Sequence, residues 1–244
     1  AQSRQRALVK AAGYAPRLGW PKPGAAIAAW GRGAYAGRAH RLAQACGGHV
    51  VTFEDAPLRG LFPRETGLPL GVIADDLGVH HDASAPSRVE RILATAPLDD
   101  PALLARATDA LNSLQRLHLT KYAACDPDLP VPAPGYVLVV DQVKGDAAAP
   151  RPEAFAHMLP AARQDHPDRP ILIKTHPETR TGHRRGHFTA ADGPLCDGPV
   201  SPWRLLHGAH AVYTQSSQLG LEAILAGHRP HVFGAPIYAG WGLS

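Results

Sequence analysis

The stretch "VLVVDQVKGD", residues 137–146, decides the fold of this chain. Four apolar residues, Val137 to Val140, end abruptly in Asp141, Gln142, Val143, Lys144, Gly145 and Asp146. A short continuous apolar run bounded by turn residues is the pattern of a strand buried on both faces. Such strands belong to parallel sheets, and those sheets bind ligands just beyond their carboxyl ends. Two carboxylates and a lysine at this point therefore stand where the sheet meets a ligand. Asp141 has a second reading, as the cap of a following helix.

The same pattern recurs outward from this strand. "AAIAAW" (25–30), "HVVTF" (49–53), "ILIK" (171–174), "AVYT" (211–214) and "HVF" (231–233) read as further buried strands. Helical patterns over 37–47, 87–95, 101–118, 152–165 and 217–227 alternate with them, and Ser87 with Glu90 forms a capping box. The alternation predicts an α/β protein with parallel sheets covered on both faces. "CDPDLPVPAPG" (125–135) holds four prolines and reads as a linker. Two Rossmann-like domains facing a cleft are expected, with one over 1–130 and the other over 131–244.

Composition narrows the function. Hydrophobic residues make up 45% of the 244 and charged residues 19%, enough apolar mass for folded cores. The net charge of +4 suits an anionic substrate or a membrane surface. No aromatic-plus-basic motif or dense Arg/Lys helix supports a nucleic-acid partner. The three cysteines, Cys46, Cys125 and Cys196, are far apart, so neither a disulfide framework nor a zinc knuckle is expected. No apolar run approaches the ~18 residues that span a bilayer. GxSxG, P-loop and GxGxxG signatures are absent from the sequence.

Four strand ends carry polar groups. Beyond 141–146 they are Glu54 and Asp55 with Arg59 following, Lys174 and His176, and Ser216, Ser217 and Gln218 ahead of a helix containing Glu222. Serines at a helix start leave backbone N–H groups and the positive end of the dipole free for a phosphate. Glu222 can then accept from ribose hydroxyls, while Lys174 and His176 add donors to a phosphate. Each signal also has a plain structural reading, as a serine cap or a solvated glutamate. His183 and His187 have metal-ligand spacing, but Arg184 and Arg185 between them repel a cation, so no metal is expected. His80 and His81 read as loop histidines.

Taken together, "WGR", "FEDAPLRG", "GVIADDLGVHHDASAPSRVE", "LTKYAA", "VLVVDQVKGD", "IKTHPETRTGHRRGHF" and "TQSSQLGLEAILAGHRPHVFGAPIYAGWGLS" resemble the KpsC-type capsule polysaccharide biosynthesis proteins, in order and over about residues 25–244. The likeness is nearer to the first module of full-length members than to the second. It implies a GT-B-like fold and a retaining β-Kdo transferase that uses CMP-β-Kdo, with no cofactor or metal. Such a protein builds the Kdo linker on phosphatidylglycerol that anchors capsular polysaccharide. The first domain would then serve the acceptor and the second the nucleotide sugar.

By the same resemblance Asp146 is the nucleophile of a Q-x-x-x-D motif that begins at Gln142. Lys174, His176, Ser216, Ser217, Gln218 and Glu222 surround the nucleotide. Asp55 and Arg59 face the substrate, and Glu54 is the candidate base that deprotonates the acceptor, with His176 and Asp141 as alternatives. Arg59 or Lys144 pairs with the sugar carboxylate. A glycolipid acceptor, a peripheral contact with the inner membrane from the cytoplasm, and capsule assembly proteins complete the implied partners.

There are departures from the family. Ala56-Pro57 replaces Gly and an aromatic, His80-His81 replaces Tyr-Tyr, and "AAAP" follows Asp146 in place of Ser-Ile. Relatives continue past "AGWGLS", so a module of a longer protein is expected, one missing a closing helix. Two other readings stand beside this one, a non-catalytic module of a capsule assembly complex and a nucleotide-sugar epimerase on the same fold.

Overall fold

The apolar run at 136–140 forms the middle strand of a five-stranded sheet in a computed structural model that describes residues 2–33, 35–63 and 69–244. All five residues of this strand are buried, which is why its sequence lacks the alternation of a half-exposed strand. By its contacts the chain divides into two units. One holds residues 1–60 and 64–98, and the other holds 61–63 and 99–244.

The division falls at 98/99, ahead of the proline-rich stretch that reads as a linker. That stretch is built into the second unit. Asp126 bridges Val200, and Arg204 donates to the carbonyls of Pro127 and, at 2.8 Å, Leu129. Four prolines preclude a helix here, but they do not prevent packing.

The first unit begins with α1 (Gln2–Ala11) and β1 (Ala26–Trp30), followed by α2 (Ala36–Cys46) and β2 (His49–Asp55). It ends with β3 (Val72–Asp75) and α3 (Arg88–Thr95). β1 and β2 pair in parallel, whereas β3 runs antiparallel to β2. The sheet is therefore mixed, where the sequence predicts a parallel one. β3, with Val72, Ile73 and Ala74 ahead of Asp75, is not among the strands the sequence predicts. The core is small: Val9 of α1 packs on Val51 and Phe53. The Ser87 capping box forms as read, with the Ser87 N–H and hydroxyl on Glu90 Oε2 at 2.7 and 2.8 Å.

The second unit runs through α4 (Pro101–Arg116), β4 (Tyr136–Val140), α5 (Glu153–Asp165), β5 (Ile171–Lys174) and α6 (Pro177–Arg180). It continues through β6 (Leu195–Cys196), α7 (Pro202–Gly208), β7 (Ala209–Thr214), α8 (Gln218–Leu225) and β8 (His231–Val232). The strand order is β6-β5-β4-β7-β8, all parallel. Both faces are covered. Tyr136, Leu138 and Val140 pack under α7 and α8, and Val137 and Val139 pack under α5. Each such side chain contributes roughly 1.5–3 kcal/mol of burial, so this sheet is the stable platform of the chain.

Candidate nucleotide-sugar site

In the second unit the chain starts at the centre of the sheet. It steps outward through β5 and β6, then returns to the other side of β4 with β7 and β8. The reversal opens a crevice between the carboxyl ends of β4 and β7, the place where doubly wound sheets hold ligands. Gln142, Asp146 and Ser216 meet there.

Gln142 is buried, and its side-chain carbonyl accepts from the Ser216 backbone N–H at 3.0 Å. Its amide donates at 3.3 Å to Asp146 Oδ2 and at 3.3 Å to Ser216 Oγ. Ser216 in turn donates its hydroxyl to the Ala148 carbonyl at 2.5 Å. Asp146 is half-buried rather than turned into the core, and its Oδ1 accepts from the Ala148 N–H at 3.0 Å. Gly145, at φ 72°, supplies the left-handed turn that brings Asp146 to this position. The carboxylate is thus held on both oxygens at an open rim.

Asp141 does something neither sequence reading foresaw. It caps no helix and does not face the rim. It is buried at the end of β4 and accepts from the backbone N–H groups of Gln142 at 2.9 Å and His187 at 3.0 Å. A Cβ on Gly186 would run into Asp141 Oδ2, so only glycine lets the 183–188 loop approach this closely. Around this anchor the two loops lock together. Lys144 N–H donates to the Arg185 carbonyl at 2.8 Å, Arg184 donates to the Lys144 carbonyl at 2.7 Å, and Val143 bridges Gly186. Burial pushes the Asp141 pKa up to about 6 despite its backbone donors. The clamp leaves the Lys144 side chain exposed.

His176 also departs from expectation. Its Nδ1 accepts from the Glu178 N–H at 3.1 Å and caps α6. Burial, with Lys121 next in weight, pulls its pKa down to about 4, so the ring is neutral near pH 7. With Nδ1 accepting, the ring proton lies on Nε2. His176 can therefore offer one N–H to a phosphate, but it neither neutralises charge nor takes up a proton. Lys174 is half-buried at the end of β5 and donates to the carbonyls of Thr175 and Cys196 at 3.2 and 3.4 Å. Desolvation lowers its pKa.

α8 begins at Ser217, whose hydroxyl accepts from the Leu219 N–H at 3.3 Å. The helix lies so close to the sheet that a Cβ at Gly220 would strike the Tyr238 hydroxyl and sit 2.8 Å from Thr214 Cγ2. Glu222 is buried, and its Oε1 accepts from Thr120 at 2.6 Å and from Gln218 at 3.1 Å. Its Oε2 is buried as well, with the Lys121 backbone beside the carboxylate. Desolvation raises its pKa, although the Lys121 backbone and ammonium pull the other way. Glu222 is thus a buried carboxylate tied to Thr120 and Gln218 beside the Lys121 backbone.

Thr120 and Lys121 are the site residues that sequence reasoning missed. They lie in "LTKYAA", which the resemblance included without giving it a role. Lys121 bears on both Glu222 and His176, and its ammonium lies 5.6 Å from the centre of the Tyr122 ring.

Glu54, Asp55 and Arg59 belong to the first unit, at the carboxyl end of β2. Asp55 and Arg59 pair with each other at 2.6 Å, so Arg59 already has a carboxylate partner. Glu54 Oε1 lies 4.0 Å from His81 Nδ1. His80 and His81 are loop histidines with their rings edge to face at 5.3 Å. His183 and His187 are not on a helix, and His187 stacks on Phe155 at 3.8 Å. No group of three metal-ligating side chains converges among the described residues.

A family model described as capsule polysaccharide biosynthesis protein matches residues 115–244, which contain every element of this crevice. The chain belongs to the capsule polysaccharide biosynthesis family. Capsule polysaccharide modification protein LipA of Neisseria meningitidis serogroup B is 32% identical to it over 238 residues, covering 91% of this chain and 34% of LipA. Lipopolysaccharide-processing protein LpsZ of Rhizobium meliloti is 30% identical over 190 residues, covering 72% of this chain and 43% of LpsZ. The chain thus spans well under half the length of these curated relatives.

Among solved structures, Thermosulfurimonas dismutans KpsC, beta Kdo 2,4 transferase, matches with a TM-score of 0.82 and 30% identity, over 89% of this chain and 71% of that one. The beta Kdo 2,7 transferase of the same KpsC matches with a TM-score of 0.65 and 25% identity, over 90% and 68%. The likeness carries the α/β, GT-B-like fold class to this member of the family.

Proposed function

We propose that this chain is a retaining β-Kdo transferase of capsule synthesis that takes the sugar from CMP-β-Kdo and passes it to a glycolipid acceptor built on phosphatidylglycerol. One observation carries the reading: a half-buried carboxylate, Asp146, is fixed through both oxygens at the crevice where β4 and β7 diverge. The names of the KpsC neighbours support the sugar and the reaction class.

Retention requires two inversions. Asp146 attacks the anomeric carbon and forms a carboxylate ester, while the bond to the CMP oxygen breaks and CMP leaves with the electron pair. The acceptor hydroxyl oxygen then attacks the same carbon and releases Asp146, and its proton passes to a base. Lys174, the N–H on His176 Nε2 and the start of α8 stabilise the departing phosphate. Glu222 Oε2 accepts from a ribose hydroxyl. Two candidates for the base drop out on geometry: Asp141 is buried under the 183–188 loop, and His176 has no free lone pair. Glu54 keeps the role of base that the resemblance assigns to it.

The test is to incubate the protein with CMP-β-Kdo, quench it, and measure intact mass. An adduct of one sugar that is absent from Asp146→Asn supports the nucleophile. Wild-type transfer by Asp146→Ala would overturn it. A chain that shows no thermal shift with CMP would instead be a non-catalytic assembly module, and product formed from donor alone would mark an epimerase.

A further inference from the structure

The first 53 residues contain eight Lys and Arg and no Asp or Glu, while residues 54–244 contain 17 against 21 and are net −4. The basic excess of the chain thus belongs to its first two helices and first two strands. α1 buries Val9 on Phe53 and leaves Arg6 and Lys10 exposed. The loop that follows is fixed at both ends. Tyr14 packs edge to face on Phe53 at 5.2 Å and donates its N–H to the Val9 carbonyl at 3.2 Å. At the far end Gly24 N–H donates to the Cys46 carbonyl at 2.7 Å, and Ala25 N–H donates to the Lys22 carbonyl at 3.1 Å.

Between these anchors runs "APRLGWPKP", stiffened by three prolines. Leu18 is 82% exposed and Trp20 84%, with Arg17 and Lys22 on either side. A loop held at its base does not present its two largest apolar side chains to water by slackness. Tryptophan and leucine flanked by cations are the combination that settles at the headgroup level of an anionic bilayer. Leu18 offers no ring for base stacking, which favours lipid over single-stranded nucleic acid.

We infer that the 15–23 loop and the exposed basic face of α1 form a docking surface for an anionic phospholipid bilayer, with Trp20 and Leu18 entering the interface and Arg6, Lys10, Arg17 and Lys22 facing the headgroups. This surface lies outside the candidate catalytic site, and its test reads binding rather than transfer. The proposed sugar chemistry and the docking can therefore fail separately.

Co-sedimentation compares neutral phosphatidylcholine vesicles with vesicles carrying about one third phosphatidylglycerol, at low and high salt. Binding is expected only to the anionic vesicles, weakening as salt rises. Arg17→Glu with Lys22→Glu should weaken it by roughly thirty-fold or more, taking about five-fold per lost cation near the surface. Leu18→Ala with Trp20→Ala should weaken it at least about ten-fold, from the apolar area withdrawn from the interface. The CMP-induced thermal shift of both double variants serves as the control for folding and should match wild type.

Failure to bind anionic vesicles overturns the inference. So does binding that the Leu18/Trp20 variant leaves unchanged. Tighter binding to single-stranded RNA, or self-association lost in the same variant, would assign the loop to a different partner and equally overturn it.

Discussion

The two units solve the same construction problem at different scales. The second surrounds a five-stranded parallel sheet with buried side chains on both faces. The first rests three strands, one antiparallel, on a core of Val9, Val51 and Phe53. The larger sheet fixes its loop ends to within hydrogen-bond tolerance, and there a carboxylate is held on both oxygens. The smaller one carries the exposed apolar loop and the uncompensated positive charge. Precision and adhesion are separated along the chain, and each region's sequence reflects its task.

The sharpest way to break this comparison is to remove one carboxylate from each unit. Asp146→Ala should lower transfer on the order of 10⁴-fold with CMP affinity nearly unchanged, because a covalent step is lost. Glu54→Gln should cost on the order of 10²–10⁴-fold in transfer rate, the usual range for one acid–base group. If the two losses were reversed, the chemistry would belong to the first unit.

A packing test follows. Leu138→Ala in the central sheet should cost about 2–5 kcal/mol in urea unfolding, and Val51→Ala should cost less, since its core has fewer neighbours to leave stranded. Equal losses would erase the contrast in core size.

The titrations inside the second unit oppose one another. Folded Asp141 keeps its proton up to about pH 6, against an ordinary value of 3.8, so its contribution is full below pH 3.8 and is lost as pH rises to about 6. Folded His176 gives up its proton near pH 4 rather than 6.5, so its contribution is lost as pH falls from 6.5 towards 4. Each amounts to roughly 3 kcal/mol over nearly the same window. These two contributions should largely offset each other between pH 4 and 6.5. Asp141→Asn should tilt the profile upward with pH, and His176→Asn, which retains a capping oxygen, should tilt it downward. Parallel slopes in both variants would contradict the assignment. Smallest in effect, Glu222→Gln should weaken CMP binding about ten-fold by calorimetry while leaving kcat at saturating donor largely intact.

Much of this was legible before any coordinates. Strands announced themselves where four or five apolar residues ran together, as at 136–140, because burial on both faces admits nothing else. The strand-end polar groups Gln142, Asp146 and Ser216 followed from the rule for parallel sheets. The two-residue β6 carried too little signal, and α7 was hidden in "PWRLLHG", which is too short for a period. The proline-rich segment misled because proline forbids helix, not burial. Thr120 and Lys121 were invisible because they meet Glu222 across about a hundred residues of chain. The role of Asp141 depended on a loop arriving from positions 183–188. Local pattern records what an element is; it does not record which loop will come to rest against it.

The absence of a side chain at Gly220 has an evolutionary corollary. Even an alanine there would wedge α8 away from Thr214 and Tyr238 and shift the serine end of the helix. If α8 holds a nucleotide as proposed, the identity of this one residue in a relative would mark whether that grip is kept.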